Sequence, residues 1–404
     1  MKKRVLFVDD EAHLRQGLRR MSYLLRDEWE MEFAASGVQA LEVLAQTTFD
    51  VVVSDMRMPG MDGAQLLHEV RQRYPQMVRL ILSGHSDYEM ILRAVGQSHQ
   101  YLAKPCEMET VLATITRTCA LRELLAQEDL QRLVAAMQTL PSAPTLYAEV
   151  VEVAQSPHGS LDQIGEIIQR DMGMTAKILQ LVNSAFFGLR REVSNLTQAI
   201  CLIGLETIKT LILSVQIFRS VDQSMLPGIS LDTLWHHSIA VGTCAKSIAQ
   251  AEACKREVTE RAFIAGLLHD IGKLLLAVNL PELYKQTLVL AQTEAIAAWE
   301  AEQALLNTTH AEVGAYLLGL WGLPDGIVEA LAYHHNPCMC PHQAFTPLTA
   351  VHVANALIHE MDGVHGGRQT ELVDLDYLTA IGLDDRLAVW RECCRSASLQ
   401  AKPV

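Results

Sequence analysis

Three short apolar runs, separated by amphipathic segments, constrain the first part of the chain more than any other feature. The runs are Val5–Asp10, Asp50–Asp55 and Val78–Gly84, and His99–Ala103 is a fourth, shorter candidate strand. Short apolar runs that alternate with amphipathic helices are typical of a parallel sheet covered on both faces. The sequence therefore predicts an α/β fold for this part of the chain.

Charged and hydroxyl side chains stand at the ends of these runs. They are Asp9, Asp10, Asp55 and Ser83, and Lys104 follows the fourth run. The carboxyl ends of parallel strands meet at one edge of the sheet, where neighbouring carboxylates repel one another unless a cation joins them. Mg²⁺ suits such oxygen ligands. Because Lys104 and Ser83 can both bind phosphoryl oxygens, the pattern predicts phosphoryl transfer to Asp55.

The sequence MPGMDG (Met58–Gly63) directly after Asp55 completes a pattern in which residues 1–121 resemble a two-component receiver domain. The resemblance implies a doubly wound, five-stranded parallel sheet and a sensor histidine kinase as partner. It implies that Asp55 is the phosphoacceptor. The implied Mg²⁺ ligands are Asp9, Asp10, Asp55 and the backbone carbonyl of Arg57. The implied switch residues are Ser83, Tyr101 and Lys104.

Residues 106–133 contain neither glycine nor proline and space their leucines at helical intervals. This pattern predicts one long connector helix that overlaps the last helix of the receiver. A coiled-coil dimer seam is the alternative. The run is short for a coiled coil, so a connector is favoured and a homodimer stays open.

From the break at Leu140–Thr145 onward the pattern is helical almost throughout, with prolines marking the turns. We expect an all-α domain over residues 134–362. Residues 363–404 should form a C-terminal helix, over Asp384–Cys394, and a polar tail that frays.

The segment Ala262–Asn279 is predicted to be a buried helix, because apolar residues occupy nearly every face of it. A buried helix has little reason to carry the adjacent pair His269 and Asp270 unless these side chains are paired or bound to metal. Other histidines follow the order expected of a metal centre. The candidate ligands are His237, His269, Asp270, His310, His334 and His335. Such a set suits Mn²⁺, Fe or Zn²⁺.

That order resembles the HD superfamily of metal-dependent phosphohydrolases, and the branch that cleaves cyclic di-GMP in particular. Two departures count against activity. The Gly-Tyr-Pro signature after the paired histidines is absent, and Asn355 stands where the pattern has its closing aspartate. Lys273 is present and is a candidate for holding a phosphate oxygen.

A closer resemblance covers residues 130–360 and is carried by NSAFFG (Asn183–Gly188), LLHDIGKLLL and HAEVGAYLLGLWGLP. These segments resemble the HDOD domain, an HD-related output domain of bacterial signalling proteins. The resemblance implies a helical bundle that acts through protein–protein contacts on an unknown downstream signalling protein. The alternative is a receiver-regulated metal-dependent phosphodiesterase.

Composition excludes several other classes of protein. The net charge is −14, and residues 1–121 hold 14 Lys and Arg against 16 Asp and Glu, so the acidity lies mainly in the remainder. Such a surface repels phosphate backbones, so nucleic-acid binding is not expected. We expect a cytoplasmic protein without membrane insertion or secretory signal, and with free thiols among its nine cysteines. Cys338, Cys340 and His342 match no standard zinc spacing, which favours a plain loop.

Overall fold

The computed structural model describes most of the chain in two units. The first is formed mainly by Met1–Thr139 and the second by most of Leu140–Val404. The described residues are 2–22, 29–84, 98–104, 108–121, 125, 128–135, 137, 141–142, 144–156, 159–183, 193, 195–204, 208, 219–220, 228–342, 344–361 and 372–400. Most of the NSAFFG segment lies outside them.

The first unit contains a parallel five-stranded sheet, as predicted. Its strands are β1 (Lys3–Val8), β2 (Trp29–Ala34), β3 (Val51–Asp55), β4 (Val78–Gly84) and β5 (Gln100–Lys104), in the spatial order β2-β1-β3-β4-β5. This order is that of a doubly wound sheet. The described helices of this unit are α1 (Ala12–Ser22), α2 (Gly37–Gln46), α3 (Gly63–Arg73), α4 (Met108–Leu121) and α5 (Glu128–Ala135). Central strand residues such as Val52 and Ile81 are fully buried, which explains the continuous apolar runs in the sequence.

The single connector helix predicted for residues 106–133 is wrong, because Leu125, between α4 and α5, is not helical. Leu125 is only 1% exposed. The side-chain amide of Gln131 donates to the Leu125 carbonyl at 2.6 Å. Burial of Leu125 and this side-chain bond stabilise the break, and neither is visible in leucine spacing.

A buried hydrogen-bond network ties α5 to strand β4 and to His99, the residue before β5. The Arg79 backbone N–H donates to Nδ1 of His99, at 3.1 Å, so the imidazole carries its proton on Nε2. That Nε2 lies 2.8 Å from the Ala135 carbonyl, which also accepts from the Arg79 guanidinium at 2.8 Å. Burial lowers the pKa of His99 well below its usual range. The C-terminal end of α5 is therefore held by a neutral histidine and a buried guanidinium.

The second unit is almost entirely helical, as expected. Its helices are α6 (Pro144–Gln155), α7 (Leu161–Ile168), α8 (Met172–Val182), α9 (Leu196–Ile203), α10 (Leu231–Ala251), α11 (Arg256–Leu268), α12 (Ile271–Asn279), α13 (Pro281–Thr293), α14 (Ala298–Leu306), α15 (His310–Leu320), α16 (Asp325–Tyr333), α17 (Pro347–Met361), α18 (Leu375–Ala380) and α19 (Leu387–Gln400). Two short strands, β6 (Pro141–Ser142) and β7 (Arg219–Ser220), pair in parallel. Helix α10 is central, since α11, α17 and α19 all pack against it.

The C-terminal helix continues to Gln400 instead of ending at Cys394. Its Trp390 is fully buried, and the indole N–H donates to Glu252 Oε1 at 2.8 Å, beyond the end of α10. This contact makes the helix part of the packed unit.

Among the described residues, one segment is long and apolar enough to span a membrane, Arg256–Asn279. Its most apolar window is 78% buried inside the protein, as for the core helix of a folded domain.

Candidate acidic pocket and metal centre

Three carboxylates meet at the carboxyl edge of the five-stranded sheet. Asp9 directly follows β1, and Asp55 is the last residue of β3. These strands pair in register and end together, so the two residues lie at the same edge of the sheet. With Asp10, they can place one oxygen each within 4.8 Å of one another. Asp9 and Asp55 are only 2% and 7% exposed. Three close carboxylates of this kind offer the oxygen ligands that a hard divalent cation such as Mg²⁺ prefers.

Lys104, the last residue of β5, supplies the positive charge in this pocket. Its ammonium nitrogen lies 2.9 Å from Asp9 Oδ2 and 2.9 Å from Asp55 Oδ1. Burial raises the pKa of Asp55, although Lys104 opposes this shift. Burial alone would lower the pKa of Lys104, but its bonds to Asp9 and Asp55 outweigh burial and raise it. The pocket therefore holds one ammonium against three carboxylates, and a divalent cation would balance the remaining charge.

The loop after Asp55 fixes the orientation of its carboxylate. The Met56 backbone N–H donates to Asp55 Oδ1 at 2.8 Å, and the Gly63 N–H donates to the Met56 carbonyl at 2.9 Å. A Cβ at Gly63 would lie 2.2 Å from the Asp55 carbonyl oxygen, so only glycine permits this approach. The MPGMDG sequence therefore packs the start of α3 directly against the end of β3.

Other predicted receiver residues are placed only through their backbone. Ser83 on β4 pairs with Ala103, and Tyr101 on β5 pairs with Ile81. The side chains of Ser83 and Tyr101 lie outside the described part of the structure. Their switch roles, and the ligand role of the Arg57 carbonyl, stay predictions.

The predicted single helix over Ala262–Asn279 is wrong in one respect, since it is interrupted at the His269–Asp270 pair. Helix α11 ends at Leu268 and α12 begins at Ile271. Gly272 lies against the start of α15, where a Cβ would be 1.9 Å from the His310 carbonyl oxygen. This close approach brings the His269–Asp270 turn to His310, which apolar periodicity does not reveal.

A second glycine contact brings α10 and α11 together. A Cβ at Gly266 would lie 2.7 Å from the Gly242 Cα, so both positions require glycine for this crossing. The crossing places His237 of α10 beside His269, with ring centroids 5.3 Å apart. Two glycine contacts thus assemble side chains that are distant in sequence.

The six predicted ligands form two adjoining groups of possible metal ligands. His237, His269 and Asp270 can place their ligand atoms within 4.8 Å of one another, and so can His310, His334 and His335. Asp270 lies between the groups, with Oδ1 3.2 Å from His310 Nε2 and Oδ2 3.9 Å from His237 Nε2. His237 Nε2 is 3.0 Å from Asn355 Oδ1, so Asn355 also lies at this cluster.

Backbone carbonyls fix the tautomers of two of these histidines. Nδ1 of His269 donates to the Gly266 carbonyl at 2.7 Å, and Nδ1 of His334 donates to the Leu331 carbonyl at 2.7 Å. Each ring therefore presents the lone pair of Nε2, the arrangement typical of metal-binding histidines. Both Nε2 atoms are buried and have no hydrogen-bond partner in the described structure. Two buried lone pairs without a donor fit a metal ion, since they would otherwise be costly.

Protonation states in the cluster agree with this donor set. Burial lowers the pKa of His269 to about 3 and that of His334 well below its usual range. Burial would raise the pKa of Asp270, but His269, Lys273 and His310 outweigh it and hold the pKa well below its usual range. His269 and His334 are thus neutral imidazoles beside an ionised carboxylate. Lys273, with Nζ 2.7 Å from Asp270 Oδ2, is already ion-paired to that carboxylate.

Glu302 is a member of this site that sequence reasoning missed. Its fully buried carboxylate accepts from the His310 backbone N–H at 2.7 Å, from His310 Nδ1 at 2.6 Å and from the Tyr284 hydroxyl at 3.2 Å. Burial lowers the pKa of His310, but Glu302 and Asp270 outweigh it and raise the pKa to about 9. Glu302 lies on α14 with no motif around it, so only its position before His310 could have drawn attention.

Two family models match the chain. The response regulator receiver domain matches residues 5–116, and the HDOD domain matches residues 140–337. The chain therefore contains a receiver domain followed by an HDOD domain. Together, these two domains are those of a signalling response regulator.

The chain is also similar to several relatives and to a solved structure. An uncharacterized protein of Treponema pallidum is 25% identical over 62% of this chain and 49% of its own length. The hydrogenase transcriptional regulatory protein HoxA of Cupriavidus necator is 30% identical over 41% of this chain and 36% of its own length. The MmoQ response regulator of Methylococcus capsulatus is 26% identical over 63% of this chain and 98% of its own, with a TM-score of 0.49. This chain thus spans about half, or less, of those two curated relatives.

Proposed function

We propose that phosphorylation of Asp55 controls the HDOD domain, which acts through contacts with another signalling protein. The observation that carries this proposal is the Lys104 ammonium, 2.9 Å from both Asp9 and Asp55 in a pocket of three carboxylates. Such a pocket suits a phosphorylated carboxylate, because it combines a nucleophile, a cation site and a fixed positive charge. A sensor histidine kinase in the cytoplasm is the proposed phosphodonor.

The chemistry is transfer of a phosphoryl group to a carboxylate oxygen of Asp55. The oxygen attacks phosphorus, the bond from phosphorus to the donor nitrogen or oxygen breaks, and an acyl phosphate forms on Asp55. A Mg²⁺ ion held by Asp9, Asp10 and Asp55 would neutralise charge on the phosphoryl oxygens. Lys104 can bind a phosphoryl oxygen from its present position. The modification adds roughly 1.5 to 2 negative charges beside Lys104.

A labelling experiment tests the role of Asp55. Acetyl phosphate and Mg²⁺ should add one phosphoryl group to wild-type protein, detected by intact-protein mass spectrometry. Asp55→Ala should remain unmodified. Asp62→Asn is a matched control, because Asp62 is a nearby half-buried helix cap and should not affect labelling. Equal labelling of wild type and Asp55→Ala would contradict the assignment.

A second candidate function is metal-dependent phosphodiester hydrolysis in the HDOD domain. It is favoured by one observation, the two buried Nε2 lone pairs of His269 and His334 beside the ionised Asp270. His237, His269, Asp270, His310, His334 and His335 would hold Mn²⁺, Fe or Zn²⁺, which would supply a nucleophilic hydroxide and a Lewis acid. Asn355 brings one negative charge fewer than an aspartate would.

Metal analysis and turnover decide between an enzyme and a binding domain. Purified protein would be assayed for Mn, Fe and Zn and for hydrolysis of cyclic di-GMP with added Mn²⁺. Turnover that is lost in both His269→Ala and Asp270→Ala would support hydrolysis. Protein that stays inactive with metal bound would support a binding domain with a structural metal.

A further inference from the structure

A second group of metal-ligand side chains lies in the loop that follows the paired histidines. Glu329 of α16, Cys340 and His342 can place an oxygen, a sulfur and a nitrogen within 4.8 Å of one another. None of these three residues belongs to the histidine cluster around Asp270. The group combines a thiol, an imidazole and a carboxylate, which are the three side-chain types that bind Zn²⁺.

The loop is folded so that its ligands face α16. Residues Pro337–Met339 form a short 3₁₀ helix, and the Cys340 N–H closes it by donating to the Pro337 carbonyl at 3.1 Å. The chain then returns toward α16, where His342 Nδ1 lies 3.1 Å from Glu329 Oε1. Cys340 is only 5% exposed, whereas the His342 side chain is 64% exposed. The site is thus anchored by a buried sulfur and is accessible from solvent on the imidazole side.

The surroundings of Cys340 include one donor to its sulfur. Burial raises the pKa of the Cys340 thiol, and the backbone N–H of His342 opposes this shift by donating to the sulfur, a bond that strengthens when the sulfur is charged. The other cysteine of the loop differs, because the Cys338 thiol donates to Asp374 Oδ2 at 3.5 Å. Cys338 therefore bonds to Asp374, the N-cap residue of α18. Cys340 is the sulfur directed toward the histidine and the glutamate.

An ordinary ion pair explains this arrangement less well. An exposed His–Glu pair contributes at most about 1 kcal/mol, and it does not require a buried thiol beside it. A thiol and a carboxylate placed side by side repel each other once the thiol ionises, unless a cation lies between them. A divalent cation with affinity for sulfur removes that repulsion and uses all three side chains.

We propose that Glu329, Cys340 and His342 bind a Zn²⁺ ion, separately from the histidine cluster around Asp270. Binding replaces the Cys340 S–H bond by a sulfur–zinc bond and releases the proton to solvent. Three protein ligands leave the fourth tetrahedral position to water. The ion would fasten the loop that follows His334 and His335 to the helix that precedes them.

Cobalt is the probe that separates this site from the other two, because only this site contains sulfur. A Co²⁺ ion bound by thiolate has a sulfur-to-metal charge-transfer absorption in the near ultraviolet, which nitrogen and oxygen ligands do not produce. Titration of wild-type protein with Co²⁺ should give this absorption with a saturating ratio of one Co²⁺ per chain. Added Zn²⁺ should remove it by displacing Co²⁺.

Variants assign the absorption to these residues. Cys340→Ala should abolish it, and His342→Ala should weaken Co²⁺ binding at least about tenfold, or about 1.4 kcal/mol. His342→Ala keeps the fold, because the side chain is 64% exposed. Cys338→Ala is the matched control from the same loop and should behave as wild type. Absence of the absorption in wild type, or its persistence in Cys340→Ala, would overturn the proposal.

Discussion

The ammonium nitrogen of Lys104 lies 2.9 Å from Oδ1 of Asp55, so the carboxylate that we propose as phosphoacceptor is already paired before any phosphoryl group arrives. The same ammonium is 2.9 Å from Asp9 Oδ2. Lys104 therefore competes with a divalent cation for two of its three predicted carboxylate ligands. This competition can be measured directly.

Lys104→Met should bind Mg²⁺ several-fold more tightly than wild type, on the order of 1 kcal/mol, because the competing charge is gone. Isothermal titration calorimetry with Mg²⁺ measures the change. Lys104→Arg keeps the positive charge and should remain close to wild type. Weaker Mg²⁺ binding by Lys104→Met would mean that Lys104 supports the cation site.

Gly63→Ala should destabilise the receiver domain by about 1 to 3 kcal/mol, because the added Cβ would lie 2.2 Å from the Asp55 carbonyl oxygen. Urea unfolding measures the loss. Gly17→Ala is the matched control, since a Cβ at this α1 position meets nothing within 4 Å. In a helix, this change should raise stability by roughly 0.5 to 1 kcal/mol. Equal effects of the two substitutions would contradict the close packing at Gly63.

Glu302→Gln should weaken metal binding at the histidine cluster roughly 10- to 100-fold, because the carboxylate that orients His310 is lost. It should also destabilise the fold by about 3 kcal/mol, since the amide cannot accept all three buried hydrogen bonds. Metal titration and urea unfolding measure the two effects. Glu300→Gln is the control on the same helix. It changes the carboxylate that accepts from the Ala297 N–H at 2.8 Å and should alter both quantities little.

His99 should make receiver stability fall in acid. Its pKa is well below 6.5 in the folded protein, so below pH 6.5 the unfolded chain binds a proton that the folded chain does not. The free energy of unfolding should therefore decrease by about 1.4 kcal/mol per pH unit from pH 6.5 down to the folded pKa. Above pH 6.5 this contribution is constant. The unfolding free energies of wild type and His99→Gln, compared at each pH, isolate the contribution of His99. If the two free energies changed with pH in parallel, the prediction would be contradicted.

The acidic pocket could be predicted from the sequence, whereas several contacts of the helical domain could not. Asp9, Asp55 and Lys104 stand at the ends of strands, and parallel strands bring their ends to one edge wherever they pair. The order of the histidines also identified six side chains that do lie together. Local patterns were sufficient because each of these residues is positioned by its own strand or helix.

Tertiary contacts decided what local pattern could not. The interruption at His269–Asp270 depends on Gly272 meeting the His310 backbone, and the break at Leu125 depends on the Gln131 amide. Glu302 acts on His310 through buried hydrogen bonds formed after α14 packs. Apolar periodicity records burial and not hydrogen-bond partners, so these features were missed.

Hydrogen–deuterium exchange tests most directly whether Asp55 controls the HDOD domain. Exchange would be measured over residues 140–337 with and without acetyl phosphate and Mg²⁺, in wild type and in Asp55→Ala. Our account predicts that phosphorylation changes amide protection in this domain of wild type and leaves Asp55→Ala unchanged. Full phosphorylation of Asp55 with identical exchange over residues 140–337 would contradict it.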